Sequence, residues 1–488
     1  MGIIIRQSIK GTIWSYLGVA IGFVTTAYLF PEYLTTDTVG LFGLFLAWST
    51  LFAQFSSLGF NGVTVRLFPF FRNKENGHNG YLFIVLMVML VGFILFLTLF
   101  FLFSPILIES NIEKSELFSQ YAYLLIPLTF FILLYNYLDN FNKLLYNAVL
   151  GTFLNEFLQR FLIFSVVLLF VFSRLNLQQL ILAYVVAVCA KGVILFFYLV
   201  LRGEINLKPQ LSFIGKKLKH EMISVSVFSI LTGVGGSLVF SFDKIIVNQM
   251  LGLSATGVYT IAFFFGTLVI IPSRPLLRIS GTLIADAWKR NDIAYINDIY
   301  KRSCLNQFII AAFLFGGIWV NIDNILVILG PEYADGKWVI FFIGMGYLIE
   351  MATGANAQII AYSKYYKVAL WFLLVLIVLV LSTMYMFIPV WGITGAAIAV
   401  SFSFFVNNLM RHIFLYKKFE MQPFTLRFLL ITGIFLFAYS VGMIFPKQIL
   451  VVDILLRSLL FSIVYFSIII GFKISNDING SIRRIINK

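Results

Sequence analysis

Residues 241–261 read SFDKIIVNQMLGLSATGVYTI. Asp243 and Lys244 interrupt a long apolar run, a second run begins at once, and a glycine-containing turn leads into GVYTI. The fold depends on whether this pair is a loop between two core elements or a charge inside a membrane helix. The rest of the chain decides it. Of 488 residues, 60% are hydrophobic and 17% aromatic, only 11% are charged, and the mean hydropathy is +0.96. A soluble domain carries about 25% charged residues, and no water-facing surface can be drawn from this composition. Most of the chain must therefore be solvated by lipid.

A helix needs roughly 20 apolar residues to cross the hydrocarbon core. That length finds fourteen spans, at 11–30, 39–60, 80–104, 119–138, 152–173, 177–201, 222–248, 254–273, 303–322, 338–361, 367–388, 393–415, 426–445 and 450–472. The fourth and seventh are the least clean, because the polar groups DNFNK and DK follow or interrupt them. The runs are long and lack alternation, so helices rather than barrel strands are expected.

With both termini cytoplasmic, the inside segments hold 28 of the 35 Lys and Arg residues. Six lie outside, and Lys191 falls within a span. This asymmetry follows the positive-inside rule, so the net charge of +14 is topogenic and no nucleic-acid partner is expected. Cys189 and Cys304 stand alone in apolar runs, and His78, His220 and His412 are scattered. Neither a disulfide framework nor a metal site is indicated, and no cofactor is expected. MGIIIRQSIKG shows no cleavage site after its apolar run, so no cleaved leader is expected. Segments between spans are short, leaving little room for a soluble catalytic domain.

Shifting the sequence by 217 residues lays the first span on the seventh. Gly18 meets Gly235, Phe23 meets Phe240, Leu34 meets Leu251 and Gly40 meets Gly257, and TVGLF (38–42) lands on ATGVY (255–259) without a gap. Six spans, a basic linker and six more then form a parallel repeat, a transporter arrangement. The expected organisation is a lobe at 1–201, a basic cytoplasmic linker at 202–221, a second lobe at 222–424, and helices 13 and 14 with a tail at 425–488. The fold class is an all-α polytopic membrane protein with two pseudo-symmetric six-helix lobes around a central cavity.

Four stretches carry a family resemblance. TVGLFGLFLAWSTLFAQFSSLGFNGVTVRLFPFF (38–71) resembles the second helix of bacterial polysaccharide (O-antigen type) flippases. SFDKIIVNQMLGLSATGVYTIAFFFGTLVIIPSRPLLR (241–278) is similar to their seventh and eighth helices. WGITGAAIAVSFS (391–403) resembles the start of the twelfth, and LDNFNKLLYNAVLGTFLNEFLQR (138–160) the link between the fourth and fifth. The family belongs to the multidrug/oligosaccharidyl-lipid/polysaccharide exporter superfamily. The resemblance implies a bacterial inner-membrane protein, not an enzyme, that moves undecaprenyl-diphosphate-linked oligosaccharide to the outer leaflet. It also implies coupling to an H+ or Na+ gradient and glycan polymerase or glycosyltransferase machinery as partners. The rival expectations are a multidrug cation antiporter of the same superfamily, a membrane-embedded glycan polymerase or ligase, and a scaffold.

Such a substrate needs cationic groups for its diphosphate, and Arg grips two oxygens with its planar fork. Arg66 ends the second helix in GVTVRLFP. Arg274 and Arg278, in PSRPLLR, are spaced i, i+4 and share a helix face. Lys191 lies roughly 15 Å from either end of its span at 1.5 Å per residue, where a charge costs about 2.5–3.5 kcal/mol. It must therefore face protein or water. These four are the substrate-binding candidates. Glu350, in GMGYLIEMATG, and the pair Asp243 and Lys244 are candidates for cavity lining or ion coupling. The repeat sets Asp243 opposite Thr26 and Lys244 opposite Ala27, inside the outer third of the seventh helix. Adjacent helical side chains diverge by about 100°, so one of the two is expected to face the cavity and the other a neighbouring helix or the interface.

Overall fold

The computed structural model describes residues 2–109, 114–210 and 213–480. Every regular element among them is helical, as a backbone in lipid requires when it must satisfy its own polar groups. Among the described residues twelve helices are long and apolar enough to cross a bilayer, and a bent pair, Gly336–Ala352 with Asn356–Tyr362 at 51°, makes a thirteenth. One of the twelve, Tyr366–Phe419, has 54 residues. At 1.5 Å per residue it would run about 80 Å, more than twice the hydrocarbon thickness. It breaks at Gly392, whose φ of 57° and ψ of −138° leave helical space. Counting it as two spans gives fourteen, as hydropathy predicts.

In chain order these are α1 (Lys10–Tyr33), α2 (Thr36–Ser56), α3 (Gly77–Pro105), α4 (Glu116–Leu144), α5 (Ala148–Val171), α6 (Leu177–Leu201) and α7 (Lys216–Leu251). There follow α8 (Leu253–Ile270), α9 (Ile293–Val320), the bent pair α10, α11 (366–391), α12 (393–419), α13 (Leu426–Met443) and α14 (Leu450–Gly471). Both polar interruptions turn out to be helical. DNFNK continues α4 to Leu144, with Asp139 and Asn142 buried. The DK pair sits inside α7, which runs unbroken to Leu251.

The chain divides into two compact units, Met1–Gly257 and Val258–Lys488. In the first, α7 lies along α2 and the helix Phe60–Phe71 that follows it. Small residues allow the approach. Ser226 Oγ donates to the Leu58 carbonyl, and a Cβ on Gly62 or Gly233 would overlap Ser229 or Gln54. Beyond the end of α7, the start of α8 also meets α2, and that contact is reciprocal under the 217-residue shift, which maps Thr36 to Leu253 and Gly40 to Gly257. A Cβ on Gly40 would overlap the Leu253 carbonyl, and one on Gly257 would overlap the Thr36 carbonyl. Thr36 Oγ1 and Ser254 Oγ share a 2.7 Å hydrogen bond beside them.

In the second unit α10 packs on α9 and α12. It breaks at Thr353–Ala355, where Gly354 takes φ 57° and the Ala355 N–H donates to Ser303 Oγ at 3.1 Å. A Cβ at Gly354 would overlap Ser303 and Cys304, so both the dihedral and the space call for glycine. The hairpin α13–α14 is fastened to α9 and its following segment at both ends. Asn324 donates to Asp453 at 2.6 Å and Asn321 to Ser458 at 2.9 Å, while Asn306 donates to Asp477 at 2.8 Å. Between the spans, the Lys337 hydrogen bond to Asp323 at 3.0 Å holds that carboxyl below its ordinary range.

Candidate functional site

Each unit contains a cluster of polar side chains among its spans. In the first, Lys191 of α6 is 9% exposed. Its ammonium donates to Asn155 Oδ1 at 2.7 Å and lies 4.6 Å from the centre of the Tyr135 ring. Asn155 Nδ2 donates to Glu156 Oε1 at 3.0 Å, and Glu156 Oε2 accepts from Arg160 Nη2 at 2.9 Å. Asn155 and Glu156 lie on a π-helical stretch, Phe153–Leu158, within α5, a local form that recurs at functional sites. Helix α1 closes over it, because a Cβ on Gly18 would overlap the Glu156 carbonyl and one on Gly22 would sit 3.2 Å from the Arg160 side chain. Nearby, Tyr135 OH donates to the Gly151 carbonyl at 2.8 Å, and Asp139 pairs with Lys143 at 2.5 Å. The cost of burying Lys191 is thus met by an amide oxygen and an aromatic face.

In the second unit the cluster surrounds the break in α10. Glu350 Oε2 accepts from Asn408 Nδ2 at 2.5 Å, and Glu350 Oε1 lies 3.7 Å from Arg411 Nη1. Asn408 Oδ1 accepts from Thr353 Oγ1 at 2.8 Å and from Asn356 Nδ2 at 2.9 Å. Asn407 accepts from Arg411 Nη2 at 3.0 Å while donating to the Phe372 carbonyl at 3.1 Å. Asn356, Asn407 and Asn408 are each 1% exposed, so their hydrogen bonds are obligatory. The 217-residue shift sets Lys191 opposite Asn408 and Asp139 opposite Asn356. The two clusters therefore occupy corresponding positions in the repeat, the first built on charges and the second on amides around one ion pair. Broken helices with converging polar groups are where transporters of repeat architecture hold ligands and ions.

The remaining expected residues lie elsewhere. Arg66 is exposed on the helix Phe60–Phe71, and its side chain makes no hydrogen bond or ion pair among the described residues. Its neighbours Val65 and Phe70 are 58% and 65% exposed. Arg72, by contrast, is committed, donating to Tyr146 OH at 2.6 Å and to the Leu144 carbonyl at 2.7 Å. Arg274 and Arg278 are exposed on Ser273–Lys289, beside the exposed Ile279, and make no side-chain hydrogen bond or ion pair among the described residues. Asp243 is 1% exposed, and one of its oxygens accepts from the Lys244 N–H at 2.8 Å. Lys244 is half-buried.

The structure thus brings Lys191 and Glu350 each into a cluster within its own unit and leaves the three arginines open. Arg411 with Asn407 and Asn408 escaped the sequence reading, which counted Arg411 among the topogenic charges. A signal was present: NN at 407–408 in an apolar run, with Arg411 at the i+3 and i+4 spacing that shares a face. Asn155 carried no such mark.

Residues 8–278 match a protein-family model described as polysaccharide biosynthesis protein. No curated protein sequence matches the chain. Among solved structures, the lipid II flippase MurJ in an inward closed conformation is similar, with a TM-score of 0.72 and 14% identity over 96% of this chain and 100% of that one. An inward-facing multidrug resistance MATE family transporter of the MOP superfamily gives a TM-score of 0.64 and 15% identity over 86% of this chain and 98% of that one. At such identities the likeness is one of fold.

Proposed function

The chain belongs to the polysaccharide biosynthesis protein family, and from that premise we propose that it is a flippase for undecaprenyl-diphosphate-linked oligosaccharide. The substrate is an O-antigen or other surface-polysaccharide repeat unit, carried from the cytoplasmic to the outer leaflet of a bacterial inner membrane. The observation that carries this reading is the set of open arginines. Arg66, Arg274 and Arg278 are exposed and unpaired among the described residues, and their helices carry exposed apolar residues, Val65 and Phe70 beside Arg66 and Ile279 beside Arg278. A diphosphate on a prenyl chain presents that pair of demands: a dianionic head for a guanidinium fork and a hydrocarbon tail that stays beside apolar surface. A cation exporter would call for open carboxylates instead.

Transport proceeds by alternating access, the head group entering from the cytoplasmic side and leaving on the other after the lobes exchange access. Both termini are cytoplasmic in this reading. An H+ or Na+ gradient biases the cycle, with Glu350 and Asp243 as the carboxylates available for coupling. The protein is a transporter rather than an enzyme and works alongside glycan polymerase and glycosyltransferase machinery. Neutralising Arg66, Arg274 and Arg278 together, each to Gln, abolishes surface glycan export in cells while the membrane level of the protein stays the same. Wild-type export by that variant removes the diphosphate role.

A further inference from the structure

Arg411, partly buried, stands apart from the buried cations. Lys191 and Arg457 each meet a partner at hydrogen-bonding distance, Asn155 at 2.7 Å and Asp453 at 2.7 Å. Arg411 is held by a neutral group, the Asn407 amide at 3.0 Å, which is itself locked by the Phe372 carbonyl. Its counter-charge, Glu350, stays at 3.7 Å, beyond hydrogen-bonding distance. A guanidinium has five N–H donors, and among the described residues only one hydrogen bond engages them. Both side chains keep an open edge, with Arg411 16% and Glu350 33% exposed. Glu350 does not depend on the arginine, since Asn408 holds its other oxygen at 2.5 Å.

We infer that Arg411 is a binding group for a phosphate or diphosphate and that Glu350 is its built-in competitor, balancing the guanidinium until the anion displaces it. This rests on the flippase reading and adds a second-unit residue to it. Asn407 fixes the fork in place, so its free edge is pre-oriented for two oxygens of one anion. The carboxylate marks where the first of those oxygens sits. When the anion arrives, Glu350 retains its Asn408 hydrogen bond and loses only a loose ion pair, so the exchange leaves no buried donor stranded. A guanidinium bound tightly by a carboxylate would have to break a strong pair first. The 3.7 Å separation avoids that.

The test is equilibrium binding of farnesyl diphosphate to the full chain in detergent, with inorganic diphosphate as a second probe. Glu350→Gln keeps the shape and the Asn408 hydrogen bond but removes the competing charge, and it binds farnesyl diphosphate at least about fivefold tighter, the lower end of typical couplings. Arg411→Gln binds it weaker by a similar factor. The opposite signs separate exchange from damage, because a merely structural role weakens both. If Arg411→Gln folds poorly, Glu350→Gln carries the test alone. Preference for farnesyl diphosphate over inorganic diphosphate assigns the ligand to a lipid, and equal affinity assigns it to the free anion. Unchanged or weaker binding by Glu350→Gln overturns the exchange while leaving the flippase reading in place. No binding of either probe by any form overturns both.

Discussion

Lys191 illustrates what one residue in an apolar run discloses and what it hides. Its depth and its need for a partner follow from the sequence, because a charge at that position is costly wherever it points. The identity of the partner does not follow. Asn155 lies on another span, and the π-helical stretch Phe153–Leu158 shifts that helix out of regular α register. Arg411 hides for the opposite reason: near a span end beside Lys417 and Lys418, it reads as one more topogenic charge until Asn407 and Glu350 are seen around it. The Lys191 pairing has a measurable consequence. Asn155→Leu strands a buried ammonium and costs about 3 kcal/mol, whereas Lys191→Met removes the charge at similar volume and stays within about 1 kcal/mol. Thermal unfolding of the two variants in detergent checks this, and equal losses would contradict it.

At the scale of elements, the count of spans was legible and their breaks were not. Hydropathy registers runs of apolar side chains, and fourteen runs give fourteen spans. It also stops at polar residues, which is why DNFNK looks like a break although α4 passes straight through it, whereas the repeat already set DK inside α7, which runs on to Leu251. The real break in α10 falls at Thr353–Gly354–Ala355, a weak punctuation that becomes a bend because Ser303 takes up the freed Ala355 N–H. Glycines are similarly ambiguous in sequence. Gly40 and Gly257 align in the repeat, but only the structure shows that they face one another's helices with no room for a side chain. Gly257→Ala therefore forces α8 off the Thr36 carbonyl, costs roughly 1–3 kcal/mol and lowers the melting temperature. Gly433→Ala, in open space on α13, is neutral or slightly stabilising by helix propensity. The same two melting curves separate the cases.

For the whole molecule, composition named the solvent, the basic asymmetry predicted an orientation, and the 217-residue shift predicted a repeat. The family match and the MurJ-like fold agree with the first of these, a helical protein of many membrane spans. The chemistry was less legible, because a diphosphate site is a matter of which cations stay unpaired, and pairing is a tertiary property. Of the candidates, Arg66, Arg274 and Arg278 remain open, Lys191 is satisfied by Asn155 and Tyr135, and Arg411 joins them as a loosely held cation. The central claim is that these arginines serve a polyprenyl diphosphate that bears sugars. Mass spectrometry of the lipid that co-purifies with the full chain tests it most directly. The account predicts a polyprenyl diphosphate carrying an oligosaccharide on the wild type and its loss when Arg66, Arg274 and Arg278 are all changed to Gln. Bulk phospholipid alone on the wild type, or the same glycolipid retained by the triple variant, would contradict it.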